Sequence, residues 1–284
     1  MAENSALSAR KGGPVQLVLW IVLCGTFFAA FFPVLSGLVN TWAHSDDYSH
    51  GFAIIPLAIY ILWLKRDSLR TQPIRGAWSG LIVAAVALLV YVVAKKGEMQ
   101  TIASVSMIFF LWGGVLFLFG YAIFRICLFP LLILFFMIPV PAQIIAGLTI
   151  PLQLIVTKAS VGLASIIGIP IFREGNVIQL PQGTFQVVQA CSGLRSIMTM
   201  MTLGAVLAYL TLRSNLLRCI LFLLAVPIAI AVNIFRVFVL VAVYYYLAYD
   251  LSEGTVHTIL GLVVFGIAIG LFLLARKGLA LCER

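Results

Sequence analysis

Charged residues are scarce in this chain of 284 residues, of which 10% are charged and 63% are hydrophobic. A soluble domain carries about 25% charged and about 45–50% apolar residues, and a soluble globule of this size could not bury so much apolar surface. The composition therefore excludes a cytosolic enzyme, a disordered protein and a disulfide scaffold. The mean hydropathy of +1.16 indicates a chain whose solvent is mostly lipid.

Two catalytic classes lack the residues that they need. No Asp lies inside a confidently predicted span, which excludes an aspartyl intramembrane protease. The 5 cysteines include no Cys-x-x-Cys pair, which excludes disulfide exchange through such a pair. The chain also has no internal repeat and no low-complexity segment.

Long apolar runs are present instead, and about 20 apolar residues suffice to cross about 30 Å of hydrocarbon. They predict eight membrane-spanning helices, at about 15–39, 52–64, 77–94, 101–119, 122–139, 192–212, 216–247 and 257–275. The second is short and contains Pro56, and Pro227 predicts a kink in the long seventh. We therefore expect an all-α polytopic integral membrane protein.

The basic residues orient these spans. The formal net charge is +9, from 18 Lys+Arg against 9 Asp+Glu. With both termini in the cytoplasm, most of the basic residues fall on the inner side, as the positive-inside rule requires; these are Arg10, Lys11, Lys65, Arg66, Arg70, Arg75, Arg125, Arg213, Arg218, Arg276, Lys277 and Arg284. Lys95 and Lys96 are exceptions. Because the charge is mainly a topology signal, no nucleic-acid partner is expected.

Residues 140–190 depart from the spanning pattern. The apolar segment 142–169 is interrupted by Pro151, Gln153 and Lys158, and a crossing there would invert the side of every later loop. We therefore predict an interfacial or re-entrant helix on the outer face. The partly alternating runs 176–180 and 184–189 flank a Pro-Gln-Gly turn and predict a short β-hairpin before the sixth span.

Five parts follow from this topology. They are a cytoplasmic N-terminal tail (1–14), a five-helix transmembrane part (15–139), an extracytoplasmic interfacial helix and hairpin (140–190), a three-helix catalytic transmembrane part (191–275) and a cytoplasmic tail (276–284).

Three polar residues on different predicted helices lie at the same depth. At about 1.5 Å per residue, Cys191 lies about 33 Å from inner Arg213, and Arg236 lies about 27 Å from inner Arg218. His257 lies about 28 Å from inner Arg276. All three therefore fall near the outer membrane boundary, where a site could form between packed helices.

Cys191 differs from the other four cysteines, which we interpret as small buried hydrophobes or a spare thiol. It lies between the predicted hairpin and a helix N-terminus, whose dipole and N–H groups favour a thiolate. Arg195 adds a cation four residues later, and Gly193 allows another part of the chain to approach closely.

A histidine beside such a cysteine could act as the base that thiol activation needs. His257, at a helix start, and His50, in a polar loop, are the two candidates. Arg236 shares a helical face with Asn233 and could stabilise an oxyanion or bind an acidic side chain. It could equally extend to the interface or pair with Asp250 or Glu253.

The motifs around these residues resemble those of the exosortase/archaeosortase family of membrane cysteine transpeptidases. The matching stretches are Val188-Gln-Ala-Cys-Ser-Gly-Leu-Arg-Ser196, Pro227-Ile-Ala-Ile-Ala-Val-Asn-Ile-Phe-Arg236, Glu253-Gly-Thr-Val-His-Thr-Ile-Leu-Gly261 and Tyr48-Ser-His-Gly51. The chain has Gln189 where some members carry an acidic residue, and it lacks the extra C-terminal domain of some relatives.

The resemblance implies an activity and its residues. Cys191 would be the nucleophile, Arg236 the essential arginine and His257 the proton-transfer partner, with Arg195, Asn233, Gly193 and His50 in substrate-binding or supporting roles. The substrates would be secreted proteins with a C-terminal tail: a short motif such as Pro-Glu-Pro, a transmembrane helix and a basic end. Cleavage would occur at the outer face of a prokaryotic inner membrane, without cofactor or metal.

The expected partners are these membrane-anchored substrates, the lipid bilayer and a cell-surface polysaccharide or lipid as acceptor. Two other function classes remain open. A lipid-linked sugar transferase would use acidic residues in the first outer loop, where Asp46 and Asp47 lie. A transporter would place polar groups near the midplane of the membrane.

Overall fold

Long apolar helices dominate the structure, because a helix satisfies its own backbone hydrogen bonds in lipid. The computed structural model describes residues 14–45, 47–186, 193–248 and 254–282. In chain order the elements are α1 (Pro14–His44), α2 (Gly51–Leu64), α3 (Arg66–Thr71), α4 (Trp78–Lys96), α5 (Gln100–Phe119), α6 (Tyr121–Ile133), a 3₁₀ turn (Leu134–Met137), α7 (Ala142–Ile166), β1 (Phe172–Glu174), β2 (Val177–Leu180), β3 (Gly183–Gln186), α8 (Leu194–Thr211), α9 (Asn215–Leu247) and α10 (Gly254–Leu281).

The expected class, an all-α polytopic membrane protein, is confirmed. Within the described ranges, seven helices are long and apolar enough to cross a membrane: α1, α4, α5, α7, α8, α9 and α10. The count differs from the eight predicted spans because α2 and the segment Tyr121–Met137 are shorter apolar helices, whereas α7, which was not predicted to span, is long enough. Pro56 lies inside α2, and Pro227 lies inside the continuous helix α9.

Helix α7 was predicted as an interfacial or re-entrant helix, and its 25 residues are also long enough to cross. Its described contacts lie near the start of α8 and the C-terminal half of α9. The Ser160 hydroxyl donates to the Ile234 carbonyl oxygen at 3.0 Å, and Lys158 is exposed halfway between the helix middle and its end. These contacts favour a position at one membrane face, which remains a prediction.

The chain divides into two compact units. The first contains Met1–His44 and Gln72–Phe124, and the second contains Ser45–Thr71 and Arg125–Arg284. Because these units are defined by packing and not by topology, they leave the five predicted parts untested.

In the first unit, glycines bring α4 and α5 into close contact. A Cβ atom added to Gly113 would lie 2.5 Å from the Ala84 nitrogen and 2.7 Å from the Gly80 oxygen. Helices in lipid associate through such small residues because no hydrophobic effect drives them together. The buried Tyr91 hydroxyl also donates to the Ala30 carbonyl oxygen at 2.8 Å, which ties α4 to α1.

Replacement of Gly113 by valine should therefore destabilise the first unit, since the added side chain would collide with the backbone of α4. The matched control is Gly114→Val on the same helix, because a Cβ at Gly114 meets nothing within 4 Å. We expect thermal unfolding in detergent at a clearly lower temperature for Gly113→Val than for Gly114→Val. Equal unfolding temperatures would show that the close approach contributes nothing to stability.

In the second unit, α8, α9 and α10 pack around a shared apolar core. Met200, Ala225 and Phe272, one from each helix, are fully buried in it. Gly204 on α8 makes room for the contact, since a Cβ there would lie 3.1 Å from Phe272 Cζ. The helices that carry Arg236 and His257, and the helix that follows Cys191 in the sequence, therefore form one packed group.

The predicted hairpin is confirmed as β2 and β3, with β1 added on the other side of β2 in an antiparallel sheet. The sheet docks on the C-terminal part of α9. Gln182 Nε2 donates to the Tyr245 carbonyl oxygen at 3.2 Å, and a Cβ at Gly183 would lie 2.8 Å from the Tyr244 hydroxyl. The sheet thus lies against α9, and in the sequence the segment that contains Cys191 follows β3 directly.

Candidate active site

The start of α8 depends on a glycine. Gly193 precedes the helix in a left-handed conformation with φ +83°, which favours a residue without a Cβ. An added Cβ would lie 2.8 Å from Asn233 Nδ2 and 2.9 Å from Asn233 Cγ. Gly193 therefore lets the 3%-exposed Asn233 side chain lie directly against the helix start.

Arg236 follows Asn233 by three residues and lies on the same face of α9, as predicted. Both line a small recess of about 20 Å³ together with Ser196 of α8 and Gly261 of α10. A Cβ at Gly261 would lie 3.5 Å from Arg236 Nη2, so the glycine leaves room for the guanidinium group. Residues of three helices thus line one recess, whereas the common depth expected for Cys191, Arg236 and His257 stays a prediction.

The two remaining catalytic candidates fall outside the described side chains. Cys191 lies outside the described residues, two positions before Gly193. Residue 257 is part of α10 and lies one turn before Gly261, but its side chain is outside the description. The distance between the Cys191 and His257 side chains therefore stays a prediction.

Arg195, in the first turn of α8, forms an ion pair that sequence reasoning missed. Its Nε donates to Asp47 Oδ1 at 3.1 Å, and the two side chains are 48% and 37% exposed. Asp47, noted in the sequence as a candidate for sugar transfer, thus contacts the arginine of the cysteine motif. The two residues are 148 positions apart in the sequence, so no local pattern predicts their pairing.

The Tyr48-Ser-His-Gly51 motif is held by the segment after α6. The Val140 N–H donates to the Tyr48 hydroxyl oxygen at 3.0 Å, and His50 Nε2 lies 3.2 Å from the Phe136 carbonyl oxygen. Because a carbonyl only accepts, Nε2 carries the proton in this contact. Burial raises the pKa of Tyr48 above its usual value, so this phenol stays protonated and neutral.

The described residues form a polytopic membrane protein in which a half-buried arginine and a buried asparagine of α9 line one recess with residues of α8 and α10. The family model for transmembrane exosortases matches residues 42–274. The chain therefore belongs to the transmembrane exosortase family, whose members are membrane cysteine peptidases or transpeptidases. Neither the curated proteins nor the solved structures contain a match to the chain.

Proposed function

We propose that the chain is a sorting transpeptidase that removes the C-terminal tail of secreted proteins through a thioester on Cys191. The tail consists of a short motif such as Pro-Glu-Pro, one transmembrane helix and a basic end. The acceptor that resolves the thioester is a nucleophile of the cell surface, carried by a polysaccharide or lipid, or it is water. The site works at the outer face of a prokaryotic inner membrane, with both termini in the cytoplasm.

One observation carries this proposal. Ser196, Asn233, Arg236 and Gly261, from all three family motifs of the C-terminal half, line one recess, and Gly193 lies directly against Asn233. The sequence separates these motifs by tens of residues, yet packing brings them to one end of the helix group. This arrangement supports a single site to which residues 191 and 257 contribute.

In the first chemical step, the Cys191 thiolate attacks the scissile carbonyl carbon and forms the S–C bond. The positive end of the α8 dipole lies at the helix start, three residues after Cys191 in the sequence, and favours the thiolate. The carbonyl electron pair moves to oxygen, and the Arg236 guanidinium stabilises this oxyanion. A fixed cation is needed because negative charge develops on this oxygen during the attack.

In the second step, the C–N bond breaks and His257 donates its proton to the leaving amine of the tail. The resulting thioester is attacked by the acceptor nucleophile, which transfers its proton to His257. The tetrahedral intermediate then collapses, and the Cys191 thiolate leaves. Only the complete cycle returns the cysteine to its thiolate form and the histidine to its protonated form.

The supporting residues position this machinery. Gly193 and Asn233 fix the start of α8, next to the nucleophile. Arg195 faces the outer end of the same helix and binds a substrate group. His50 positions the loop that carries Asp47, since it bonds the backbone at Phe136. This contact supports a positioning role for His50, with His257 as the proposed base.

The test is a co-expression assay with secreted reporters that carry the three-part tail. Reporters that differ only in the short motif are needed, because Gln189 leaves the subfamily open. We expect a tail-free reporter only when the chain is present, and hydroxylamine should capture the thioester as a hydroxamate at the new C-terminus. A reporter without the basic end serves as the control, and an unchanged tail on every reporter would overturn the proposal.

Gly193→Ala should reduce processing by at least about 10-fold, because the left-handed conformation strains alanine and its Cβ collides with Asn233. Gly266→Ala is the matched control, since its Cβ meets nothing within 4 Å and no positive φ is involved. The measurement is the rate of tail removal at equal protein levels. If both variants processed at the wild-type rate, the close approach of Asn233 would have no functional importance.

A further inference from the structure

A larger cavity adjoins the candidate active site. Its volume is about 470 Å³, and its walls are the loop with Asp47 and Tyr48, one face of α7 and the first turn of α8. We name it the recognition recess. Arg195 lies on its wall and follows Cys191 by four residues in the sequence. Most of its lining is apolar, with polar groups from Gln153, Thr149, Asp47 and Arg195.

Thr149 is an unusual threonine on the wall of the recess. It is 5% exposed, and its hydroxyl has no hydrogen-bond partner among the described residues. Other helical threonines in the same unit bond the carbonyl four residues earlier: Thr157 to Gln153, Thr199 to Arg195 and Thr202 to Met198. A buried hydroxyl without a partner destabilises the protein, and a ligand that bonds it would recover this free energy.

The Arg195–Asp47 ion pair shows what the charged end of the recess accepts. The guanidinium group already binds a carboxylate, at 3.1 Å. Both side chains are more than one third exposed, and exposed pairs of this kind stabilise proteins by about 0–1 kcal/mol. Another carboxylate can therefore displace Asp47 at little cost, and Asp47 then returns to water.

We propose that the recognition recess binds the substrate segment beside the scissile bond, and that Asp47 occupies the carboxylate position of Arg195 until an acidic substrate side chain displaces it. Apolar side chains of the segment pack against α7, and a polar group of the segment bonds Thr149. The inference rests on the proposed function, since it names the part of that enzyme that selects the substrate.

Two peptide probes test the exchange at Arg195. Both carry the same apolar helix and basic end, and they differ only in Pro-Glu-Pro against Pro-Gln-Pro. The quantity compared is the ratio of kcat/KM for the acidic and the amide probe, in which general losses of activity cancel. We expect Arg195→Gln to lower this ratio about 10-fold or more. Asp47→Asn removes the competing carboxylate and should raise the ratio up to about 5-fold.

The following result would overturn the proposed exchange at Arg195. If Asp47→Asn leaves the ratio unchanged and Arg195→Gln slows both probes equally, no carboxylate exchange takes place at this pair. Thermal unfolding of each variant is measured in parallel, and Asp47→Glu, which keeps the competing charge, should restore the wild-type ratio.

The walls of the recess allow a second, independent test. Ala146→Trp fills the recess and should lower kcat/KM for both probes by more than about 10-fold, whereas Leu148→Trp should change it less than about 2-fold. Leu148 is a suitable control because it lies on the same helix, is 49% exposed and does not line the recess. Equal effects of the two tryptophans would overturn the assignment of the recess.

The variant Thr149→Val distinguishes a role of Thr149 in substrate binding from a role in stability. Valine keeps the shape and removes the unpaired hydroxyl, so we expect a higher unfolding temperature together with a higher KM. A purely structural threonine would change the unfolding temperature and leave KM as it is, which would contradict the proposed bond to substrate.

Photocrosslinking distinguishes failure of this inference from failure of the proposed function. The full chain with Cys191→Ala is incubated with a probe that carries a photoreactive residue next to the motif. Crosslinks to residues 145–153 support the recess even if no tail is ever removed. Tail removal by the wild-type chain without such crosslinks would leave the function standing and overturn the recess.

Discussion

Cys191→Ala should abolish tail removal, with a fall in rate of at least about 1,000-fold. Loss of a covalent nucleophile removes the whole two-step pathway, and the remaining groups cannot compensate. Cys191→Ser should be nearly as inactive, because a hydroxyl is far less acidic than a thiol and the site has to form an anion before attack.

Cys219→Ala is the matched control, since Cys219 is an exposed free cysteine in the same unit. We expect it to process at the wild-type rate and to keep its sensitivity to thiol alkylation. An active Cys191→Ala variant would contradict the thioester and would favour the sugar transferase, above all if its activity required a metal.

Arg236→Lys should reduce kcat by about 100–1,000-fold, the usual cost of losing one oxyanion contact. Lysine keeps the positive charge but lacks the planar group that fits between Asn233 and Gly261. Arg236→Gln should be slower still, because it also loses the charge. KM should change much less than kcat, since the oxyanion exists only after attack.

The matched control for this prediction is Arg173→Lys. Arg173 is an arginine outside the recess: it lies on β1 and donates to the Gly175 carbonyl oxygen at 2.9 Å. It should process at close to the wild-type rate. If Arg236→Lys raised KM and left kcat unchanged, the arginine would bind the substrate and not the oxyanion.

The sequence predicted those features that depend on local pattern. Apolar length located the spans, and the alternation around Pro181 located the hairpin. Periodicity placed Asn233 and Arg236 on one face of α9, where both line the same recess. Helix lengths placed Cys191, Arg236 and His257 at one level, which stays a prediction. The positions of Cys191 and His257 relative to each other remain predictions.

The rest depends on packing between distant parts of the chain. Asp47 and Arg195 pair across 148 residues, and Thr149 reaches the recess only because α7 lies beside the first turn of α8. Strand β1 has three residues and no alternating pattern of its own, so only its pairing with β2 identifies it. No sequence pattern within a single segment predicts these long-range contacts.

Helix α9 carries Arg236 and also holds the β-sheet near its C-terminal end. With 33 residues it is about 50 Å long, well beyond the hydrocarbon thickness of about 30 Å. It holds Arg236 within its length and the sheet at Tyr244 and Tyr245 near its end. In a thinner or thicker bilayer α9 tilts as a whole. The distance between Arg236 and the sheet is therefore set by the helix and is independent of lipid composition.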